Sequence, residues 1–369
     1  MTQQVVNTNH FSPERLEQVY RFLEDAVATG KIPGAAIQLV RHGVPAPARS
    51  FGRLYLTPHS PPAQPDTIFL TASVTKPVTV TAVMLLVERG KLQLDDPVSS
   101  IISEFGTNGK AQIKVRHLMT HTSGLPDMLP EDRPLRAQHA PLAEFVRRIC
   151  TLKPSFPAGT NIQYQSAGTA MLGAIVERLE GIGLPDFLQR EIFGPLGMKD
   201  TALGLQHLPP ERIAHVNVLP EMQGQDWGWN MPYWRHFAAP WGGMFSTVGD
   251  MSRFCQMFLN GGVLDGVRIL QTETVQMMTT DQTSAMSEIP ESVRAGQSWG
   301  LGWRRQPTNE SFFGSQITDG SYGHGGATGT VVWVDPARAL VCVLFTTQPA
   351  ESNEGLLGRC SDLVAAAAV

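Results

Sequence analysis

The sequence predicts an α+β fold in which an antiparallel sheet, built from both termini and flanked by helices, carries an inserted, mainly helical domain. Two observations predict it. Short β-rich apolar runs lie near the start, Ala35 to Val40 and Phe51 to Leu56, and near the end, Trp299 to Arg304, Thr330 to Val334 and Leu340 to Thr346. The long stretch between them instead spaces its apolar residues for helices, broken by loops containing Pro and Gly.

The elements follow in order. Ser12 and Pro13 supply an N-cap and a first-turn proline, and Leu16, Val19, Tyr20, Leu23 and Val27 form a helical stripe that Gly30 stops. The runs from Ala35 and Phe51, separated by a turn rich in Gly and Pro, predict a β-hairpin. Helices are predicted around Val78 to Arg89, Leu142 to Cys150, Ala167 to Leu179, Leu184 to Ile192, Thr247 to Leu259 and Thr272 to Thr279. Asp335-Pro336-Ala337-Arg338 is the turn joining the last two strands. Ala365 to Ala368 is expected to be the frayed end of a last helix. The expected division is 12–70 with 290–365 for the sheet domain and 71–289 for the helical domain, with the active site in the cleft between them.

Of 369 residues, 42% are hydrophobic and 17% charged, enough apolar mass to exclude a disordered chain. Lys and Arg number 29 against 33 Asp and Glu, without runs, so there is no electrostatic footprint for nucleic acid. Cys150, Cys255, Cys342 and Cys360 form no Cys-x-x-Cys pair and read as reduced, buried thiols. Met1 to His10 has neither a basic start nor an apolar core, so no signal peptide is expected there, and no apolar run reaches eighteen residues. A cytoplasmic address without membrane association follows as an expectation. No cofactor or metal is called for, and nothing indicates an oligomeric state.

Three motifs can carry chemistry. In Phe69-Leu70-Thr71-Ala72-Ser73-Val74-Thr75-Lys76 a hydroxyl precedes an amine by nearly one helical turn, so both share a face at a helix start. The positive potential there favours a deprotonated lysine and a stabilised alkoxide, which a weak serine nucleophile needs. Alone, the spacing fits a capping serine and a solvated lysine as well. Tyr164-Gln165-Ser166 stands in a loop entering a helix, where a phenol near a lysine can relay a proton; by itself it also fits a half-buried tyrosine. Tyr322 to Gly329 enters a strand with glycines at 323, 325, 326 and 329, so another backbone or a ligand must approach closely. These glycines do not follow a strand and open a helix, as a dinucleotide fingerprint must.

Ser73-Val74-Thr75-Lys76, Tyr164-Gln165-Ser166 and His324-Gly325-Gly326, in that order, resemble the serine β-lactamase and penicillin-binding-protein superfamily. The likeness is to its class C β-lactamase-like branch, which includes family VIII carboxylesterases and D-aminopeptidases. His117 to Leu125 and Gly242 to Thr247 also match, and the likeness spans roughly residues 12 to 365. The resemblance implies a β-lactamase-like fold, acylation of Ser73, general-base and general-acid work shared by Lys76 and Tyr164, and a site wall formed by His324 to Ala327. It also implies an oxyanion hole from the backbone amides of Ser73 and Ala327.

Two departures point away from β-lactams. His324 stands where the family usually has a lysine that grips a carboxylate, and a largely neutral imidazole grips it less. Ser166 stands where an asparagine is usual. The expected activity is therefore hydrolysis of a small-molecule ester with a short to medium acyl chain, with Ser166, His324, Gly325, Gly326 and Trp241 binding substrate. The alternatives are a β-lactamase or D-amino-acid peptidase, which needs a cation elsewhere, an acyltransferase, or a non-catalytic binding protein of the same fold. Trp227, Trp229, Trp234 and Trp241 are either packing or the wall of an apolar pocket. His117 and His121 lack the glutamate of a zincin motif and read as structural. No Gly-x-Ser-x-Gly elbow occurs. Asp127, Glu131, Asp132, Arg133 and Arg136 read as a solvated charged loop.

Overall fold

The structure, a computed structural model, describes residues 10–57, 59–305 and 310–368. Apart from His10, the stretch read for a signal peptide lies outside them. Twelve strands occur among the described residues: β1 (Gly34–Arg41), β2 (Val44–Pro45), β3 (Arg49–Gly52), β4 (Phe69–Leu70), β5 (Ala202–Leu203), β6 (Met244–Ser246), β7 (Val263–Leu264), β8 (Val267–Arg268), β9 (Arg304–Arg305), β10 (Tyr322–Gly326), β11 (Thr330–Asp335) and β12 (Leu340–Thr346). The main sheet runs β2-β1-β12-β11-β10-β9, with β3 also on β1, and every pairing is antiparallel. N- and C-terminal strands meet at its centre, where Ala35 pairs with Thr346 and Arg41 with Leu340.

Every residue of β1, β11 and β12 is buried because both faces are covered. Alternate residues serve different cores. Ala35, Ile37, Leu39, Trp333, Cys342 and Leu344 pack with the terminal helices Pro13–Ala28 and Leu356–Ala367, whereas Ala36, Val40, Val332, Val341 and Val343 face the helical region. Ser12 caps the first helix through Arg15 N, and Thr247 caps Val248–Leu259 through Asp250 N. The four cysteines are buried and free. No helix among the described residues is long and apolar enough to cross a membrane.

Several expectations shift. The second hairpin run is a strand only over Arg49–Gly52, because Gly52 turns away at φ +74°, where a Cβ would lie 2.2 Å from Pro33 O. Of the run Trp299 to Arg304 only Arg304 joins the main-sheet ladder, together with Arg305 just beyond it, since Gly302 takes φ +77° and Gly300 N donates to Trp303 O to form a turn. Phe69–Leu70 leaves the main sheet for a small one ordered β4-β6-β5. The helix from Leu184 ends at Leu188 and passes into a π turn over Gln189–Phe193. The C-terminal alanines do not fray: Ala365 and Ala367 are buried, Ala367 O accepts from Ser12 N at 2.9 Å, and Ala368 bridges Phe11.

Candidate active site

Ser73, the candidate nucleophile, sits on a short 3-10 turn, Ala72–Val74, that runs into the helix Thr75–Glu88. Residues 75 to 86 of that helix are buried on every side, so its position is set by packing all round rather than by one apolar face. Its start is pinned to β6: Thr71 Oγ1 donates to Met244 O at 3.0 Å and Met244 N to Thr75 Oγ1 at 3.1 Å. Ala72 holds φ +46°, a left-handed conformation costly for a residue with a Cβ, at the residue before the serine.

Lys76 is 1% exposed. Its Nζ donates to Ser73 Oγ at 3.0 Å and to Trp241 O at 3.1 Å, and lies 4.6 Å from the centre of the Tyr164 ring. Burial pulls the amine down from its usual 10.5 to about 7, against the opposing charge of Asp127. An amine held near neutrality beside a serine hydroxyl can serve as its general base. Tyr164 stands two residues before the helix Ser166–Glu180, its ring 4.7 Å from that of His121 and 5.9 Å from that of Trp299. Burial raises the phenol above its usual 10, with the Ser73 hydroxyl acting in the opposite direction, so Tyr164 holds its proton at neutral pH. The two groups thus enter with opposite proton inventories.

The third wall is β10. Thr330 Oγ1 donates to Thr71 O at 2.8 Å and Thr328 Oγ1 to Leu70 O at 2.7 Å, which ties the β10–β11 turn to the turn carrying Ser73. A Cβ on Gly326 would lie 2.2 Å from Thr330 Oγ1 and 2.4 Å from Thr71 O, and one on Gly325 would enter the Phe312 ring. Those glycines are required by close approach. His324 Nδ1 lies 2.8 Å from Gly325 O, a group that can only accept, so Nδ1 carries the proton. Burial, with Lys76 adding to it, holds the imidazole down at about 3, so it is neutral at physiological pH.

Ser73, Tyr164, His324, Gly325 and Ala327 line one cavity of about 690 Å³. Trp229, Trp299 and Phe312 give it aromatic walls, and Arg304 and Glu351 add a charge of each sign. Ser166, Gly326 and Trp241 are not among its lining residues. Ser166 Oγ donates to Asp127 Oδ1 at 2.7 Å, and Ser166 and Trp241 border a separate space of about 10 Å³. Trp241 bears on the site through its carbonyl, which accepts from Lys76, while its ring packs near Phe145 and Phe237. Of the four clustered tryptophans, Trp229 is the one that lines the cavity.

The charged loop is more than a solvated face. Although Asp127 is exposed, its Oδ1 accepts from Ser166 N at 2.9 Å and its carbonyl from Ala167 N at 3.0 Å, so it secures the helix start just after Tyr164. Arg136 is buried, paired with Asp132 at 3.0 Å on the same helix and 4.3 Å from the Trp234 ring centre. His117 and His121 each accept a backbone amide at Nδ1, from Lys114 and Gln165 at 3.1 Å. His121 thereby also seats Tyr164. Arg304, Phe312, Trp299, Glu351 and Asn353 on the cavity wall, and Asp127 behind it, are residues that sequence reasoning did not assign to the site.

The Beta-lactamase family model matches residues 19–364, nearly the whole chain. The chain belongs to the beta-lactamase family. This member has the serine β-lactamase fold. Protein Rv1367c of Mycobacterium tuberculosis (strain ATCC 25618 / H37Rv) is 33% identical over 247 residues, covering 60% of this chain and 61% of that protein. Esterase EstB of Burkholderia gladioli is 35% identical over 215 residues, 54% of this chain and 53% of that one. The chain thus spans about half to three-fifths of the length of these two relatives. A solved family VIII carboxylesterase superposes with a TM-score of 0.75 at 20% identity, covering 95% of this chain and 98% of that one, which shows the shared fold.

Proposed function

We propose that this family member is a carboxylesterase that hydrolyses neutral esters of short to medium acyl chains through an acyl-enzyme on Ser73. One observation carries the reading: a buried amine held near neutrality lies 3.0 Å from the Ser73 oxygen. Lys76 takes the Ser73 proton as Oγ attacks the ester carbonyl. The backbone amides of Ser73 and Ala327 receive the oxyanion, a pair whose single members account for about 10² to 10³ in rate in other enzymes. Tyr164 gives its proton to the departing alkoxide and regains one from the Lys76 ammonium. Water then attacks the acyl group as its proton passes to the Lys76 amine, and when the intermediate collapses to release the acid the Lys76 ammonium returns that proton to Oγ, restoring the Ser73 hydroxyl and the neutral amine.

The neutral His324, the aromatic walls, the cavity volume and the relative named esterase EstB support an ester over a carboxylate-bearing substrate. A second reading, a β-lactamase or D-amino-acid peptidase, is favoured by Arg304, a cation on the cavity wall that the third motif itself lacks. Side-by-side turnover of nitrophenyl butyrate and nitrocefin separates the two. Faster hydrolysis of the butyrate is expected, and faster cleavage of nitrocefin reverses the assignment.

The proton inventory also sets the pH profile. Lys76 works as a base only when deprotonated, so kcat/KM falls about tenfold per pH unit below about 7 and is flat above it until other groups titrate. A rate constant still level at pH 5 would remove Lys76 from the base role.

A further inference from the structure

The cavity is not uniformly apolar. His324 is 3% exposed and Trp299 1%, both line the cavity, and their ring centres lie 5.9 Å apart. Neither His324 Nε2 nor Trp299 Nε1 has a hydrogen-bond partner among the described residues. Asn353, 7% exposed and lining the same cavity, leaves its Nδ2 in the same condition. Buried polar groups are nearly always paired, since a group taken out of water without a partner keeps its full desolvation cost. Three of them around one cavity form a pattern.

Their senses differ, and the difference identifies a ligand. An indole N–H can only donate. Because His324 Nδ1 spends its proton on Gly325 O, the Nε2 end of the neutral ring is a bare lone pair that can only accept. A carboxylate offers no donor to that lone pair, and an alkyl chain offers nothing to either nitrogen. A hydroxyl or a secondary amide both donates and accepts.

We propose that the cavity selects esters carrying a neutral group that both donates and accepts, a hydroxyl or an amide, with His324 Nε2 receiving its hydrogen and Trp299 Nε1 donating to its oxygen. This inference rests on the ester reading above and narrows its substrate class. His324 is then a specificity-determining residue: in place of a carboxylate clamp, it reads a donor. Sites that bond a substrate hydroxyl discriminate strongly against the analogue lacking it, because their own polar groups are then left unpaired.

The test compares kcat/KM for nitrophenyl butyrate with that for nitrophenyl 3-hydroxybutyrate, and for ethyl butyrate with 2-hydroxyethyl butyrate, so that both the acyl and the alcohol side are probed. At least one hydroxylated ester is expected to exceed its plain counterpart by about 10-fold or more. In His324→Phe, which keeps a flat ring and removes the lone pair, the ratio is expected to collapse toward one. If that variant does not accumulate, Trp299→Phe, which removes the N–H alone, reduces the same ratio. Plain esters turned over as well as, or better than, both hydroxylated ones overturn the proposal while leaving the esterase reading intact. So does a preference that survives both substitutions. If no ester is hydrolysed and Ser73 accepts no fluorophosphonate, the esterase reading itself fails and this proposal falls with it.

Discussion

Lys76→Met lowers kcat/KM for an ester by about 10³ to 10⁴-fold and at the same time makes the protein more stable. The loss follows from removing the base 3.0 Å from Ser73 Oγ. The gain follows from the cost of keeping an amine where burial has drawn it from 10.5 to about 7, which corresponds to at most about 5 kcal/mol. The variant also gives up hydrogen bonds to Ser73 Oγ and Trp241 O, about 1 kcal/mol each, so a net gain of about 1–3 kcal/mol is expected.

The sign of the pH dependence separates this from better packing. Between about 7 and 10.5 the unfolded lysine binds more protons than the folded one, so wild-type stability rises with pH across that window. The advantage of the methionine variant is therefore largest at and below pH 7 and shrinks toward pH 10.5. Urea unfolding of both proteins at pH 6.5 and 9.5 measures it. An advantage that is equal at both pH values, or absent, contradicts the buried-amine account.

Gly326→Ala lowers kcat by about 10²-fold with a smaller change in KM. The glycine is needed for space rather than for backbone freedom, since its Cβ would lie 2.4 Å from Thr71 O and 2.2 Å from Thr330 Oγ1. A methyl group there pushes β10 off the nucleophile turn at a cost of about 1–3 kcal/mol. It also displaces Ala327, the next residue, whose amide is one of the two proposed oxyanion donors. Steady-state kinetics with a thermal melt checks both effects. Wild-type kcat in a folded variant would show that the contact between β10 and the Thr71–Ser73 turn does not position the oxyanion hole.

The parts of this molecule legible in its sequence are those governed by local rules. Strand β12 begins at Leu340 and ends at Thr346 as expected, because a buried apolar run bounded by turn residues leaves little ambiguity. Ser73 and Lys76 meet because three residues make nearly one helical turn, and Tyr164 and His324 were found through motifs whose order matches a family. What escaped depends on backbone atoms or on chain crossings. Trp241 was expected to offer its ring to substrate but offers its carbonyl to Lys76, a role any residue type could fill. The two- and three-residue strands of the β4-β6-β5 sheet are too short to show a period of two. Asp127 looked like part of a charge cluster, and only the fold brings it to the start of the helix at Ser166. Arg304 and Phe312 reach the cavity from a strand edge and a short helix far from any motif.

Intact mass spectrometry after exposure to a fluorophosphonate, followed by peptide mapping, tests covalent catalysis at Ser73 most directly. One adduct per chain, located on Ser73 and absent from Ser73→Ala, is the predicted result. An unmodified wild-type chain, or an adduct on any other residue that persists in Ser73→Ala, would contradict it.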